Sequence, residues 1–333
     1  MSEPSPLREA QERFIHAVPL RGVAPSLVAV EVANGRTLYH DVVAPIDMPP
    51  YARVIVEGFL IRAADSALAS EENVGRFKIV GEVKPGDSTC PSLGAGEALR
   101  VATGSIASGE GVAVVRMWEA KVEGDTFTIN RSFPPNFFIE AQGCDLKRGS
   151  TLLKAGTRLS PWDLGLLAGL GITQIEVAAQ PRVALFASGD EVILPSEPLR
   201  PGAIRDSNSV MLAAAIHNTG GTTSFMGIIR DDFAAFVAAL KKSLSTHDMV
   251  VISGGTAVGG RDFISDLIRE VGEVVIDGVP MRSGRPLIMG IANGKPIVAV
   301  AGHPPEALRG FKLFGAAALQ KLLGETAPLP DDI

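Results

Sequence analysis

Val250-Val-Ile-Ser-Gly-Gly-Thr-Ala-Val-Gly-Gly-Arg-Asp262 runs an apolar strand straight into a glycine-rich loop. The acid at its end opens a helix that begins Asp262-Phe-Ile-Ser-Asp-Leu-Ile. Glycines let a ligand approach the backbone, loop N–H groups donate, and a helix N-terminus favours negative charge, so the stretch suits a phosphate or pyrophosphate. Asp262 conflicts with a bare anion site, because a carboxylate repels such a ligand. A divalent cation shared by the two resolves the conflict.

The same strand-to-helix rhythm surrounds the loop. Strands are predicted at Val183–Ala187, Thr223–Ile229, Val250–Ser253, Val274–Asp277, Leu287–Ile291 and Ile297–Ala301. Helices are predicted at Ser207–Asn218, Asp231–Ser245, Asp262–Val271 and from Pro304 to Leu323. This βαβ texture over residues 181–326 predicts an α/β domain with a doubly wound, mostly parallel sheet and ligands at the strand C-termini. Residues 46–145 carry short runs broken by Gly, Pro and Asp, among them Phe77–Val83, Val112–Met117 and Thr126–Ile129, as in a smaller β domain. Residues 1–45 and 146–180 read as a discontinuous helical linking domain, with helices at Leu7–Ala17 and Pro25–Ala33. In its second part Ser160 is the expected N-cap, Pro161 the first helical residue and Gly171 the stop. Residues 327–333 form a tail.

A chain of 333 residues with 46% hydrophobic and 20% charged content has material for real cores and is not of disordered composition. Its net charge of −6 gives no long-range attraction to nucleic acid or to an anionic membrane. The two cysteines, Cys90 and Cys144, are too few for a thiolate zinc site and do not form a Cys-x-x-Cys pair. The N-terminus lacks the basic and apolar blocks of a signal peptide, and no apolar run reaches the length of a membrane helix. The expected location is cytoplasmic.

Four groups fall at predicted strand ends. They are Ser188-Gly189-Asp190-Glu191, the segment Asp206-Ser207-Asn208 opening a helix, the loop Ser253-Gly254-Gly255 with Gly259, and Gly302-His303-Pro304. Asp190, Glu191, Asp206 and Asp262 beside a phosphate-cradling loop have the composition of a metal-assisted phosphate or pyrophosphate site. Plain readings stand beside this one. Ser-Gly-Asp-Glu is also an ordinary turn, and Asp206 to Asn208 also suits a helix cap. The glycine loop lacks the Gly-Lys-Ser/Thr of a P-loop. A histidine such as His303 is more often packed than ligating, and Arg282 and Arg285 also suit a solvated surface.

These motifs, in this order, resemble the molybdopterin molybdenumtransferase family, the MoeA proteins and the gephyrin E domain. Ala187-Ser-Gly-Asp-Glu-Val192 resembles the family's Ser-Thr-Gly-Asp-Glu-Leu. Gly202-Ala-Ile-Arg-Asp-Ser-Asn208 is similar to its Gly-x-Ile-x-Asp-Ser-Asn, and Ser253 to Asp262 to Ser-Gly-Gly-Val-Ser-Val-Gly-Asp-x-Asp. Met281-Arg-Ser-Gly-Arg-Pro286 and Ala301-Gly-His-Pro304 echo Met-Lys-Pro-Gly-Lys-Pro and Pro-Gly-Asn-Pro. Upstream, Asp41 to Pro50, Thr103-Gly-Ser105 and Gly143-Cys-Asp145 also fit.

The resemblance implies insertion of molybdenum into adenylylated molybdopterin, with molybdate as the second substrate, Mg²⁺ or another divalent metal at the pyrophosphate, and release of AMP. It implies Glu57, Asp190, Glu191, Asp206 and Asp262 as catalytic, the last four also as metal ligands. Thr103, Gly104, Asp145, Arg282 and Arg285 are implied to bind the ligand together with the strand-end residues. It further implies a homodimer, with the site between the sheet domain of one subunit and the β domain of the other. A molybdenum-enzyme apoprotein or other cofactor-biosynthesis proteins would be partners. Members usually carry a further small β domain beyond the position of Gly324.

The departures cluster in functional places. Glu57 stands for an aspartate, Glu140 for an arginine, Cys144 for a glutamate, Gly260 for an aspartate, and Arg282 and Arg285 for lysines. They leave a second reading open: a non-catalytic paralogue that binds molybdopterin or finished cofactor as a carrier, chaperone or regulator.

Overall fold

The computed structural model describes residues 5–230, 232–254, 263–279, 287–326 and 328–330. They divide into two compact units, residues 1–41 with 154–333, and residues 42–153.

In the larger unit six strands form one sheet: β1 (Arg182–Ser188), β2 (Thr222–Ile229), β3 (Met249–Gly254), β4 (Glu273–Asp277), β5 (Ile288–Ala292) and β6 (Lys295–Val300), in the order β2-β1-β3-β6-β5-β4. The first four positions are parallel, and β5 and β4 turn antiparallel at the far edge. Alternate side chains face opposite layers. Val183, Leu185, Met249, Val251, Val298 and Val300 lie in one core with helices α1 (Pro6–Ala17), α3 (Asn208–Asn218), α6 (Pro304–Gly310) and α7 (Ala316–Leu323). Ala184, Phe186, Val250, Ile252, Ile297 and Ala299 lie in the other with α4 (Phe233–Thr246) and α5 (Phe263–Val271). Both faces are covered, so these strands are apolar throughout. This is the doubly wound sheet the sequence predicts.

The predicted last helix is interrupted once. Phe311–Gly315 is a π-turn between α6 and α7, and a Cβ on Gly315 would stand 2.4 Å from the Phe311 ring. Helix α2 (Pro161–Gly169) starts as expected, Ser160 and Asp163 forming a reciprocal capping box behind Pro161. Leu170 is its C-cap, and Gly171 follows at φ +77.

Two expectations for the N-terminal part change. Pro25–Ala33 is not helical: Pro25–Ala29 is a strand paired antiparallel with Gln174–Ala178, and Val30–Val32 is a 3₁₀ turn. The short apolar run suited either state, and a partner strand far along the chain decided it. The first helix also packs elsewhere than expected, into the core of the sheet domain. Phe14 and Val18 of the α1 region are fully buried in the core under the sheet, which places them in the larger unit.

The smaller unit carries a mixed six-stranded sheet, ordered Val112–Arg116, Gly58–Arg62, Glu97–Val101, Gly75–Val83, Thr126–Ile129 and Lys121–Glu123. Both of its faces are apolar too, Phe59, Phe77, Val115 and Phe127 on one side and Leu60, Leu99, Val101 and Val114 on the other. At its rim Glu119 accepts two hydrogen bonds from Arg116, at 2.8 and 2.9 Å, and one from Arg131 Nε at 3.0 Å. The Arg116 bonds, followed by those of Arg131, hold the Glu119 carboxyl down at about 2. A depressed folded-state value means stability that is complete above the ordinary carboxylate range and lost as pH falls from about 4.5 towards 2. Glu119→Gln is therefore expected to cost about 1–3 kcal/mol at pH 7. In urea titrations that cost should shrink towards pH 3; a cost independent of pH contradicts the assignment.

Candidate functional site

The C-terminal ends of β1, β3 and β6 meet at one place, and Asn208, the first residue of α3, joins two of them. Its Nδ2 donates to Ser253 Oγ at 2.8 Å and to the Gly302 carbonyl at 2.7 Å. A carbonyl only accepts, so the amide orientation is settled by chemistry. Gly254 lies beside Ser188 in the ladder, and a Cβ there would stand 2.5 Å from the Ser188 carbonyl. With φ at +90 as well, the position demands glycine. Among the described residues, three buried polar atoms here lack a hydrogen-bond partner: Ser188 Oγ, Asn208 Oδ1 and Ser209 Oγ. A buried orphan costs about 1–3 kcal/mol, so these atoms favour a polar ligand or ordered water at the strand ends.

The carboxylates are less convergent than the sequence suggests. Asp206 is 6% exposed and spends Oδ1 on the Ser209 N–H at 2.9 Å. Ser207, the N-cap by position, makes no side-chain cap, so Asp206 performs that task and keeps one oxygen. Asp190 is exposed beside Arg230, 3.8 Å from its guanidinium, and the Asp190 carbonyl accepts from the same arginine at 3.1 Å. Glu191 is exposed and folds back over Gly189, whose φ of +143 and missing Cβ make room for it. Among the described residues no three His, Cys, Asp or Glu side chains are grouped as a metal site. Asp262, with Gly255, Gly259, Gly260, Arg282 and Arg285, lies outside the described residues. His303 is exposed at the N-cap of α6 without a side-chain cap, and Pro304 is the first helical residue.

In the smaller unit, Thr103 and Gly104 form a turn held by the Gly104 N–H on the Val54 carbonyl at 2.8 Å, with Gly104 at φ +90. Asp145 is tied to Met48 through its backbone N–H at 3.0 Å and accepts from the Cys144 thiol at 3.7 Å. Desolvation, then the Asp145 and Glu140 carboxylates, push the Cys144 thiol up from its ordinary value, so it stays protonated at neutral pH. Glu57 is exposed and lacks a side-chain hydrogen bond or ion pair among the described residues.

Sequence reasoning missed Arg53. It stands directly opposite Glu140 in a two-residue antiparallel ladder, and its Nε donates to Glu140 Oε2 at 2.7 Å. The Glu140 bond, with Asp145 adding to it, raises the Arg53 guanidinium above its already high value. Glu140 is thus half of a cross-strand pair rather than a bare reversal of charge. An alignment of residue types does not display that pairing; the ladder register does. Glu140→Arg alone should destabilise the unit by about 0.5–1 kcal/mol through like charges placed opposite one another. The exchange Arg53→Glu with Glu140→Arg should restore the loss in chemical denaturation, and a double variant no better than the single one removes the pairing argument.

Two family models match most of the chain. Residues 5–171 match the MoeA N-terminal region (domain I and II), and residues 184–321 match a family described as "Probable molybdopterin binding domain". The chain is 32% identical to the molybdopterin molybdenumtransferase of Staphylococcus aureus, over 99% of this chain and 78% of that protein. The Staphylococcus epidermidis protein of the same name is 32% identical over 92% of this chain and 73% of its own. Two crystal structures of the molybdopterin biosynthesis MoeA protein from Pyrococcus horikoshii superpose with TM-scores of 0.81 and 0.84, at 33% and 28% identity. They cover 98% and 97% of this chain, and 81% and 80% of their own.

Proposed function

Because the chain belongs to the molybdopterin molybdenumtransferase (MoeA) family, we propose that it serves molybdenum cofactor biosynthesis as a transferase. In this reading it binds adenylylated molybdopterin and molybdate, cleaves the pyrophosphate, releases AMP and leaves molybdenum on the dithiolene. The observation that carries the reading is the Asn208 clamp with its unpartnered polar atoms, which supports a polar ligand held at the ends of β1, β3 and β6.

Ser188, Gly189, Ser207, Asn208, Ser253, Gly254, Gly302, His303 and Pro304 are the proposed contacts from the sheet end, joined by Gly255, Gly259, Arg282 and Arg285. Thr103, Gly104, Asp145 and Glu57 are those of the smaller unit. Mg²⁺ or another divalent metal belongs to the proposal on charge grounds, since carboxylates beside phosphate oxygens need a counter-charge. Asp206 would offer its free oxygen, with Asp190, Glu191 and Asp262. A homodimer in the cytoplasm is proposed on the resemblance, and sedimentation velocity tests the dimer. Among the described residues no helix is long and apolar enough to cross a membrane.

Single-turnover incubation with adenylylated molybdopterin, molybdate and Mg²⁺, following AMP, tests the proposal. AMP formation that depends on molybdate is expected, and omission of Mg²⁺ should suppress it. Tight pterin binding without AMP would establish the carrier reading instead.

A further inference from the structure

The far edge of the larger sheet carries a groove that shares no residue with the strand-end site. It holds about 800 Å³, within the size range of binding clefts. One wall is the segment 272–278, which contains all of β4, and every residue of that segment lines the groove. Side chains of a strand alternate between its two faces, so a cavity that touches each successive residue runs along the strand's edge. The opposite wall is a single stripe of α1, formed by Pro6, Glu9, Ala10 and Arg13 at the spacing of one helix face.

That edge is open. β4 is the last strand of the sheet and pairs only with β5 among the described residues. Outside this ladder no backbone group of residues 273–277 makes a hydrogen bond among the described residues. Unpaired N–H and C=O groups along an edge are a template for a further strand. A β-bulge fixes the shape of the groove. Val274 lies opposite Gly290 and Ile276 opposite Met289, leaving Val275 as the extra residue. Val275 and Ile276 both enter the core that holds Phe14 of α1. The helix is thereby anchored beside the edge, and a groove that exists beforehand lowers the ordering cost of binding.

Charge selects the occupant. Asp277 is already engaged, accepting from Arg269 at 2.7 Å and from Ser265 at 2.6 Å. The side chains of Glu9, Arg13 and Glu273 are exposed and make no hydrogen bond or ion pair among the described residues. Two unpaired carboxylates against one unpaired guanidinium leave the groove acidic. A second copy of β4 fits poorly. Antiparallel self-pairing centred on Val275 sets the acids Glu273 and Asp277 against one another, and like charges directly opposite destabilise a ladder.

We propose that this groove docks an extended, basic segment of a protein partner, added as a further strand between β4 and α1. Main-chain hydrogen bonds to the β4 edge supply the affinity, and Glu9 and Glu273 the preference for Lys or Arg. The five residues of β4 span about 17 Å, at roughly 3.3 Å per residue, so a seven-residue segment covers the edge. The inference does not rest on the transferase reading and survives its failure.

The test uses the full chain and a fluorescent heptapeptide, Thr-Lys-Val-Thr-Val-Lys-Thr, blocked at both ends and followed by anisotropy. Binding with Kd below about 1 mM is expected. N-methylation of its three central residues removes donors from both edges of the peptide and should weaken binding about tenfold or more. A probe with Glu in place of both Lys should bind about fivefold more weakly than the basic one. The double variant Glu9→Lys with Glu273→Lys should reverse that order and prefer the acidic probe. Both positions are exposed, so the variant is expected to fold, and circular dichroism checks this. Amide hydrogen exchange should slow in residues 273–277 when the basic probe is bound, and not in β2 at the other edge of the sheet.

No binding of the basic probe at millimolar concentration overturns the proposal. Equal affinity for the N-methylated probe, or binding that leaves exchange in β4 unchanged, reduces the interaction to surface charge and overturns it too. A double variant indifferent to the charge of the probe removes the basic partner. Self-association that is lost in the double variant on sedimentation, in a protein that binds no probe, gives the edge to a second copy of the chain and equally overturns it.

Discussion

Gly254→Ala is expected to cost about 2–5 kcal/mol, enough to unfold much of a marginally stable protein. About 1–2 kcal/mol comes from forcing an L-residue into the left-handed region. A further 1–3 kcal/mol or so comes from pressing a methyl group against the neighbouring strand. The backbone at Gly254 has φ +90, and the new carbon would lie 2.5 Å from the Ser188 carbonyl oxygen. Neither atom can swing away, because both belong to paired, buried strands. Gly294→Ala is the matched control: its φ is +74, yet its Cβ would meet nothing within 4 Å. Urea titration should show the control losing only the backbone part. Equal losses at the two glycines would refute the close-approach argument.

Asn208→Asp is expected to disable the strand-end site more severely than Asn208→Ala. The alanine removes two hydrogen bonds and leaves the Gly302 carbonyl without its donor, a loss of about 1–3 kcal/mol. The aspartate places an ionised oxygen where a donor stood 2.7 Å from that carbonyl, at a position only 7% exposed. Burial and the facing carbonyl should raise the new carboxyl above its value in the unfolded chain. A raised folded-state value means that stability is lost as pH rises and regained as pH falls, when the protonated group donates once more. Denaturation of both variants between pH 4 and 8 should show a steep dependence for Asn208→Asp and little for Asn208→Ala. Affinity for a phosphorylated pterin should fall about tenfold or more in the aspartate variant at pH 8. A flat pH profile for the aspartate would mean that Nδ2 does not face the carbonyl.

Much of the larger unit was legible because its local signals agree. Ser160 with Pro161 announces α2, Asp232 in the Asp231–Asp232 pair caps α4, and the apolar runs of β1, β3 and β6 are short and bounded by glycine or charge. The two-faced core was only partly legible, since a run such as Val250-Val-Ile is apolar at every position and does not say which layer each side chain joins. At the site, residue types pointed to the strand ends but not to the roles there. Asp206 and Asn208 both read as cap or ligand; the fold gives the cap to Asp206 and makes Asn208 a tie between strand ends.

What the sequence determined by itself is therefore what short-range chemistry controls: which segments are strands or helices, where glycine loops end them, and the motif order that marks the family. Tertiary structure alone decided three things. It turned Pro25–Ala29 into a strand by supplying Gln174–Ala178 as partner. It set Arg53 against Glu140, and it slipped the register of β2 to bring Phe225 and Met226 out together. Each depends on hydrogen-bond pairing between segments distant along the chain. Pairing energy is realised only when both edges are present in register, so neither segment carries the information alone.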